Sequence, residues 1–328
     1  MWSVSEWVSN GHLPTAEVVQ DLVAEAHRRF APVLDGQVAD YIPALAVAVP
    51  WHFGVCVSSC GGALFEAGEA RESFSIQSIS KPFLFALICQ AIGEEAAREK
   101  LGVNSTGLPF NSVLAVERSG QGLSNPMVNA GAIAATSLAP GASSEQKWAF
   151  IQDGFSRFAG RRLEIDQQVF DSELATNRRN VGLATLLSDH DRIWWDPDEA
   201  TELYTRQCSL SVTAADLAVM AATLANGGRQ PVTGEKVIAA IHCQHVLAVM
   251  VTAGLYETSG DWLYATGLPG KSGVAGGMIT VAPGKGGLAT YSPPLDEAGN
   301  SVRGQLTARF LSERLGLNLF ASRAEGNS

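Results

Sequence analysis

The sequence predicts an α+β fold in which an antiparallel sheet is flanked by helices and carries an inserted helical lobe. Two observations carry this expectation: β-like runs lie toward both ends of the chain, and helical periodicity fills the middle. A third excludes the main alternative, because strands and helices do not alternate as a parallel α/β sheet requires. With 328 residues, 46% hydrophobic and 17% charged, the chain has the composition of a globular protein with a large core. The expected organisation is one domain over residues 1–328. Its sheet-containing lobe spans about 1–95 and 225–328, and its helical lobe about 96–224.

The first β-like region runs from Leu45 to Phe65, where short β-branched runs end at Gly61-Gly62 as in a hairpin or meander. From Phe83 to about Thr223 apolar residues recur at three-to-four spacing, and Gly93, Gly160 and Gly227-Gly228 stop successive helices. Ser143 and Gln146 read as a capping box at one of these starts. A second β-like region spans Leu263 to Ser292 and ends at Pro293-Pro294, and a last helix is expected over Val302 to Leu315.

Charge and composition narrow the partners. The net charge of −10, from 33 acidic and 23 basic residues, repels phosphate backbones. The densest basic cluster, Arg178-Arg179 with Arg192, is short and lacks interleaved aromatics, so no nucleic-acid partner is expected. The apolar run 82–92 falls short of the ~20 residues that span a bilayer, and none is expected to do so. Residues 1–23 carry Ser5, Glu6, Asn10, His12 and Glu17 where an export signal needs a basic and then an apolar segment. Five cysteines without a CxxC pair read as reduced thiols, and a cytoplasmic location is expected. Cys56 and Cys60 on one strand face stand roughly 13 Å apart, too far for a bridge. His242 and His245 share a helical side without a third ligand, so no metal or cofactor is expected. The expected ligand is a small molecule.

Ser78-Ile79-Ser80-Lys81 is the first chemistry-bearing motif. Ser-x-x-Lys on a helix puts both side chains on one face, where an amine can take the hydroxyl proton. The pattern alone is weak and recurs at Ser144–Lys147. Context separates the two: Lys81 is the only charge between Glu72 and Glu94 and opens a helix apolar on nearly every side. Desolvation of a buried ammonium lowers its pKa, which suits a general base near neutral pH. Pro82 places the helix start near Ser78, with the serine amide free to help bind an oxyanion. In the alternative reading Ser78 is an N-cap and Lys81 a snorkelling residue.

The second motif is Gly270-Lys271-Ser272-Gly273 through Gly277. Residues 265–272 fit a relaxed phosphate-loop pattern, but such a loop must open a helix, whereas the continuation is a Gly and β-branched run that reads as a strand. The better reading is the Lys-Ser/Thr-Gly edge strand of penicillin-recognising serine enzymes, which faces the Ser-x-x-Lys nucleophile and offers it a second amide.

The chain resembles the serine-dependent glutaminases of the β-lactamase-like superfamily from about Tyr41 to Arg303. The likeness rests on the stretches around Tyr41, Ser78, 125–133, Ser172-Glu173, Arg179-Asn180, Tyr204, Cys208-Ser209, 220–228, 254–260, 267–277 and 292–304. It implies a β-lactamase/DD-peptidase-like fold and cofactor-free hydrolysis of L-glutamine to L-glutamate and ammonia. It further implies Ser78 as nucleophile, Lys81 as base, Tyr256 as proton relay, and the amides of Ser78 and Val274 as the oxyanion hole. Glutamine would be bound by Tyr41, Asn129, Glu173, Asn180 and Tyr204, and the chain would form a homo-oligomer, a dimer or tetramer. This set is chemically apt, because an amino acid's ammonium and carboxylate must both be paired once water is excluded. Individually, Asn129 also reads as a helix cap, Glu173 as a surface acid and Tyr204 as a core aromatic. The likeness breaks at Gly102–Gly107, where the family usually has Glu-Pro-Ser-Gly. The rival functions are a penicillin-recognising hydrolase or esterase of the same fold and a catalytically silent glutamine-binding protein.

Overall fold

The computed structural model describes residues 11–322. Residues 1–10, part of the stretch read for an export signal, and residues 323–328 lie outside the described residues, and with them both ends of the expected sheet lobe.

Helix α1 (Ala16–Phe30) precedes a hairpin of β1 (Gly54–Ser59) and β2 (Leu64–Gly68). The short β3 (Phe74–Ser75) leads through a 3₁₀ turn at Gln77–Ile79 into α2 (Ser80–Ile92). Next come α3 (Glu94–Leu101), α4 (Leu114–Glu117), α5 (Asn129–Ser137), α6 (Ser144–Ala159), α7 (Gln167–Thr176), α8 (Arg178–Asp189) and α9 (Pro197–Cys208). After β4 (Ser211–Val212), which pairs with β3, the chain forms α10 (Ala214–Ala225) and α11 (Ala240–Ala253). A second 3₁₀ turn at Tyr256–Thr258 opens α12 (Ser259–Thr266). Strands β5 (Gly270–Ser272), β6 (Gly277–Ala282) and β7 (Gly286–Tyr291) and helix α13 (Val302–Arg314) complete the fold.

The main sheet has five strands in the order β2-β1-β7-β6-β5, and every neighbouring pair is antiparallel. Residues from both chain ends thus meet at its centre, where β1 pairs with β7. Strand periodicity sends alternate side chains to opposite faces. Val55, Val57, Met278 and Leu288 join the core with α1 and α13, whereas Cys56, Ile279, Val281 and Ala289 join the larger core with α2 and α10. Because both faces are covered, β6 and β7 are buried along their whole length and show no polar alternation.

The α+β layout matches expectation, with three local differences. Leu45–Val49 forms turns rather than a strand, and Leu263–Thr266 is the last part of α12, which Gly267 stops in the left-handed region. Only half of the capping box at α6 forms: Ser143 Oγ accepts from the Gln146 amide, while the Gln146 side chain accepts from the Ala142 amide. Among the described residues the cysteines are unbridged, and no helix is long and apolar enough to cross a membrane.

Helix α10 rests directly on β7. Its alanines and Gly287 allow this approach: a Cβ added at Gly287 would lie 2.4 Å from both the Ala218 carbonyl oxygen and the Ala222 amide nitrogen. Both are backbone atoms and cannot turn aside. Gly287→Ala is therefore expected to lower unfolding stability by about 1–3 kcal/mol through overpacking, read as a lower urea midpoint at unchanged slope.

Candidate active site

The site forms where the 3₁₀ turn before α2 meets the turn between β5 and β6. Gly273 makes that meeting possible, since a Cβ there would lie 3.0 Å from the Ile76 carbonyl and 3.4 Å from Gln77 Cβ. Strand β5 is the sheet edge, as the Lys-Ser-Gly motif led one to expect, and it is followed by a turn and a strand rather than a phosphate-binding helix. The α-helix starts at Ser80, two residues later than Pro82 implied, so Ser78 sits in the tighter 3₁₀ turn.

Ser78 and Lys81 are both buried, and Lys81 Nζ is hydrogen-bonded to Ser78 Oγ. Burial lowers the Lys81 pKa to about 8, against a smaller upward pull from Cys208 and Glu173. Roughly a tenth of this amine is therefore unprotonated at pH 7, far more than for an ordinary lysine, and able to accept the serine proton. The second Ser-x-x-Lys differs in its bonding. Lys147 is also buried, but it donates to the carbonyls of Ser137 and Ala139, and Ser144 bonds Glu199. Those two side chains are engaged in structural bonds and do not address each other.

Tyr256, in the second 3₁₀ turn, is buried with its phenol near the Ser78 side chain. Its backbone has φ +57° and Gln77 has φ +50°, so both residues flanking the nucleophile in space sit in a region that L-residues seldom occupy. Among the described residues, neither the Ser78 amide nor the Val274 amide donates to a backbone carbonyl. Two free donors beside a hydroxyl suit a developing oxyanion.

A cleft of about 290 Å³ is lined by Ser78, Val274, Asn129, Glu173, Asn180 and Tyr204, with the half-exposed Tyr41 also on its lining. The polar wall is organised before any ligand arrives. Asn129 Nδ2 donates to Asn180 Oδ1 at 3.0 Å, and Tyr204 Oη donates to Asn129 Oδ1 at 3.3 Å. Asn129 is thus the first residue of α5 with its side chain spent on the cleft, not on capping. Glu173 is 7% exposed, and burial raises its pKa to about 7, opposed by a hydrogen bond from Gln77 and by Lys81. An incoming cation stabilises such a carboxylate in its charged form. Tyr41 is 55% exposed, and it shares with Phe110 and Val274 the wall of a larger outer groove of about 820 Å³. The reactive groups line the smaller cleft, and the groove is its vestibule.

The structure brings together the residues that the resemblance implied, Lys81 and Tyr256 next to Ser78 and Tyr41, Asn129, Glu173, Asn180, Tyr204 and Val274 on the cleft. Sequence reasoning missed Gln77, whose Nε2 donates to Glu173 Oε2 and to Ser75 Oγ, both at 3.2 Å. It assigned no role to Arg179, and it missed Phe110 and Asn111, which come after the divergent Gly102–Gly107 loop and line the cleft. No periodicity marks these; adjacency to Ser78 was the one available signal for Gln77. His242 lies 3.3 Å from Glu94, away from the cleft lining, and no group of three or more His, Cys, Asp or Glu able to hold a metal occurs among the described residues.

A glutaminase family profile matches residues 36–320. Glutaminase 2 of Yersinia pestis is 57% identical over 97% of this chain and 94% of its own length. The solved structure of a protein titled probable glutaminase ybaS superposes with a TM-score of 0.93 at 42% identity, covering 94% of this chain and all of that one. A structure titled Mglu in its glutamate form superposes at 0.88 and 38% identity, over 93% of this chain and 71% of that one.

The Lys81 amine gives a direct test of the geometry. Labelling of Ser78 by a fluorophosphonate reagent, monitored by intact mass, is expected to speed up about tenfold between about pH 7 and about pH 9 as the amine loses its proton. In Lys81→Met the labelling should be slow and nearly independent of pH.

Proposed function

The chain belongs to the glutaminase family and hydrolyses L-glutamine to L-glutamate and ammonia; from that premise we propose how its own residues carry the reaction. The observation that carries the proposal is the buried Lys81–Ser78 hydrogen bond beside a cleft that Ser78 and Glu173 both line.

Ser78 Oγ attacks the side-chain amide carbon while its proton passes to Lys81 Nζ. The amides of Ser78 and Val274 hold the oxyanion. As the carbon–nitrogen bond breaks, Tyr256 gives its phenolic proton to the leaving nitrogen, so ammonia departs and a glutamyl ester remains on Ser78. Water then attacks the ester and passes a proton to the Tyr256 phenolate, and the Lys81 ammonium returns its proton to Ser78 Oγ. The sum is one water and one amide consumed and one acid and one ammonia released.

Glu173 pairs with the substrate ammonium, and Asn129, Asn180, Tyr204 and Tyr41 receive its carboxylate. A site that requires both charges rejects peptides and blocked glutamines. That Mglu was solved in a glutamate form supports the product as an occupant of the equivalent cleft. The same reading covers a sheet lobe and a helical lobe meeting at the cleft, and a cytoplasmic homo-oligomer, a dimer or tetramer.

Acid quenching of a glutamine reaction is expected to show a glutamyl adduct on the wild type. Ser78→Ala should show neither adduct nor ammonia release, and persistence of either refutes the nucleophile. The pH profile depends on two groups of opposite sign. Glu173 must be ionised, which is lost below about 7, and Lys81 must be neutral, which is lost below about 8. Both deprotonations favour turnover, so kcat/KM should rise with pH across this interval. Glu173→Gln should remove the lower inflection and raise KM on the order of 100-fold.

A further inference from the structure

Behind Tyr256 lies a second buried lysine that the reaction scheme does not use. Lys271, the central residue of β5, is fully buried. Its Nζ donates to Tyr256 Oη at 2.9 Å and to the Ser272 carbonyl at 2.9 Å, and it lies 4.0 Å from the centre of the Tyr256 ring. Phe110 packs near the same ring at 5.2 Å between centroids. The phenol is thus held by an amine and an aromatic ring while it reaches toward Ser78. The charged or titratable groups that act on Lys271 are Lys81 from α2, Cys208 from α9 and Tyr256 itself. Burial, with Lys81 adding repulsion, drives the Lys271 pKa well below that of an ordinary lysine and so favours the neutral amine. Its two protein partners are neutral oxygens, as such an amine requires.

We propose that Lys271 is a positioning residue for the reaction: it fixes the Tyr256 oxygen and stabilises the negative charge that gathers there when the phenol gives its proton to the departing nitrogen. The inference rests on the proton-relay reading of Tyr256 given above. No bond to Lys271 forms or breaks; its N–H shortens onto the phenolate oxygen until the attacking water restores the proton. Acting on a step after substrate is bound, Lys271 governs kcat and leaves KM alone.

The test is a double-mutant cycle on Lys271→Met and Tyr256→Phe, with thermal unfolding and glutamate binding confirming that each variant is folded. Lys271→Met is expected to lower kcat about 100-fold, within the range for loss of one aimed donor, with KM changed less than about threefold. In the Tyr256→Phe background it should cost nothing further, because the oxygen it serves is gone. Should Lys271→Met fail to fold, Lys271→Gln takes its place in the same cycle, and an additional loss in the Phe background refutes the inference there too. A folded Lys271→Met with kcat within twofold of wild type, or losses that multiply in the double variant, overturns the role of Lys271 alone. A near-normal Tyr256→Phe overturns the relay reading beneath it.

Discussion

An ammonium group that must be taken out of water is the constraint around which this molecule is arranged. Lys81 stands at the start of α2, whose other side chains from Ser80 to Cys89 are buried and, save for Ser80, apolar. Lowering its pKa from 10.5 to about 8 corresponds to about 3 kcal/mol of lost preference for the charged form. A surface lysine escapes that cost by snorkelling, but the apolar helix between α5 and α6 leaves no such route. The amine instead turns to the nearest hydroxyl, and desolvation makes it a base. Lys147 shows that burial alone is insufficient: with two carbonyls to donate to, it is tied into the backbone at one end of α6.

Glu173 is driven the opposite way by the same environment. Burial pushes the carboxyl up to about 7 and the amine down to about 8, so near neutral pH neither is firmly committed to its charge. On the proposed reading, an arriving ammonium tips Glu173 to the carboxylate without forcing a proton onto Lys81. Gln77 links the two ends of the cleft: it precedes the nucleophile in the chain and donates to Glu173, and it does so from a backbone with positive φ. Holding a glutamine there costs on the order of 1–3 kcal/mol. Glu173 and Ser78 are thereby linked through one residue's conformation, so neither can drift without the other.

Much of this was legible in the sequence where a residue contradicts its surroundings. Lys81 stands out as one charge in a long apolar stretch, and Ser144–Lys147 does not. The β1–β2 hairpin and β5 to β7 were readable from β-branched runs ending at glycines, although full burial on both faces removed the alternation that fixes strand limits. Leu45–Val49 has the composition of a strand but forms turns, because neighbours far along the chain decide whether a short apolar run pairs. Gln77 and Phe110 were illegible for a different reason: their roles come from a left-handed backbone and from a loop that wraps back onto Tyr256. Neither leaves a periodic trace.

The meaning of the Lys-Ser-Gly segment is decided by the element that comes after it. Residues 265–272 carry the letters of a phosphate loop, and in that setting Lys271 would be an exposed ammonium over a helix N-terminus. Here the next element is β6, so backbone amides face a sheet partner instead of converging on an anion. The lysine is carried inward against a phenol, and the Val274 amide, in the turn after β5, lines the cleft beside Ser78. Identical side-chain chemistry thus serves opposite ends according to solvent exposure: a lysine in water is a cation that attracts phosphate, and a lysine without water is a neutral donor that can sit beside a second lysine. The Gly273 turn favours the second case, because a Cβ there would press within 3.0 Å of the Ile76 carbonyl as the edge strand approaches Ser78.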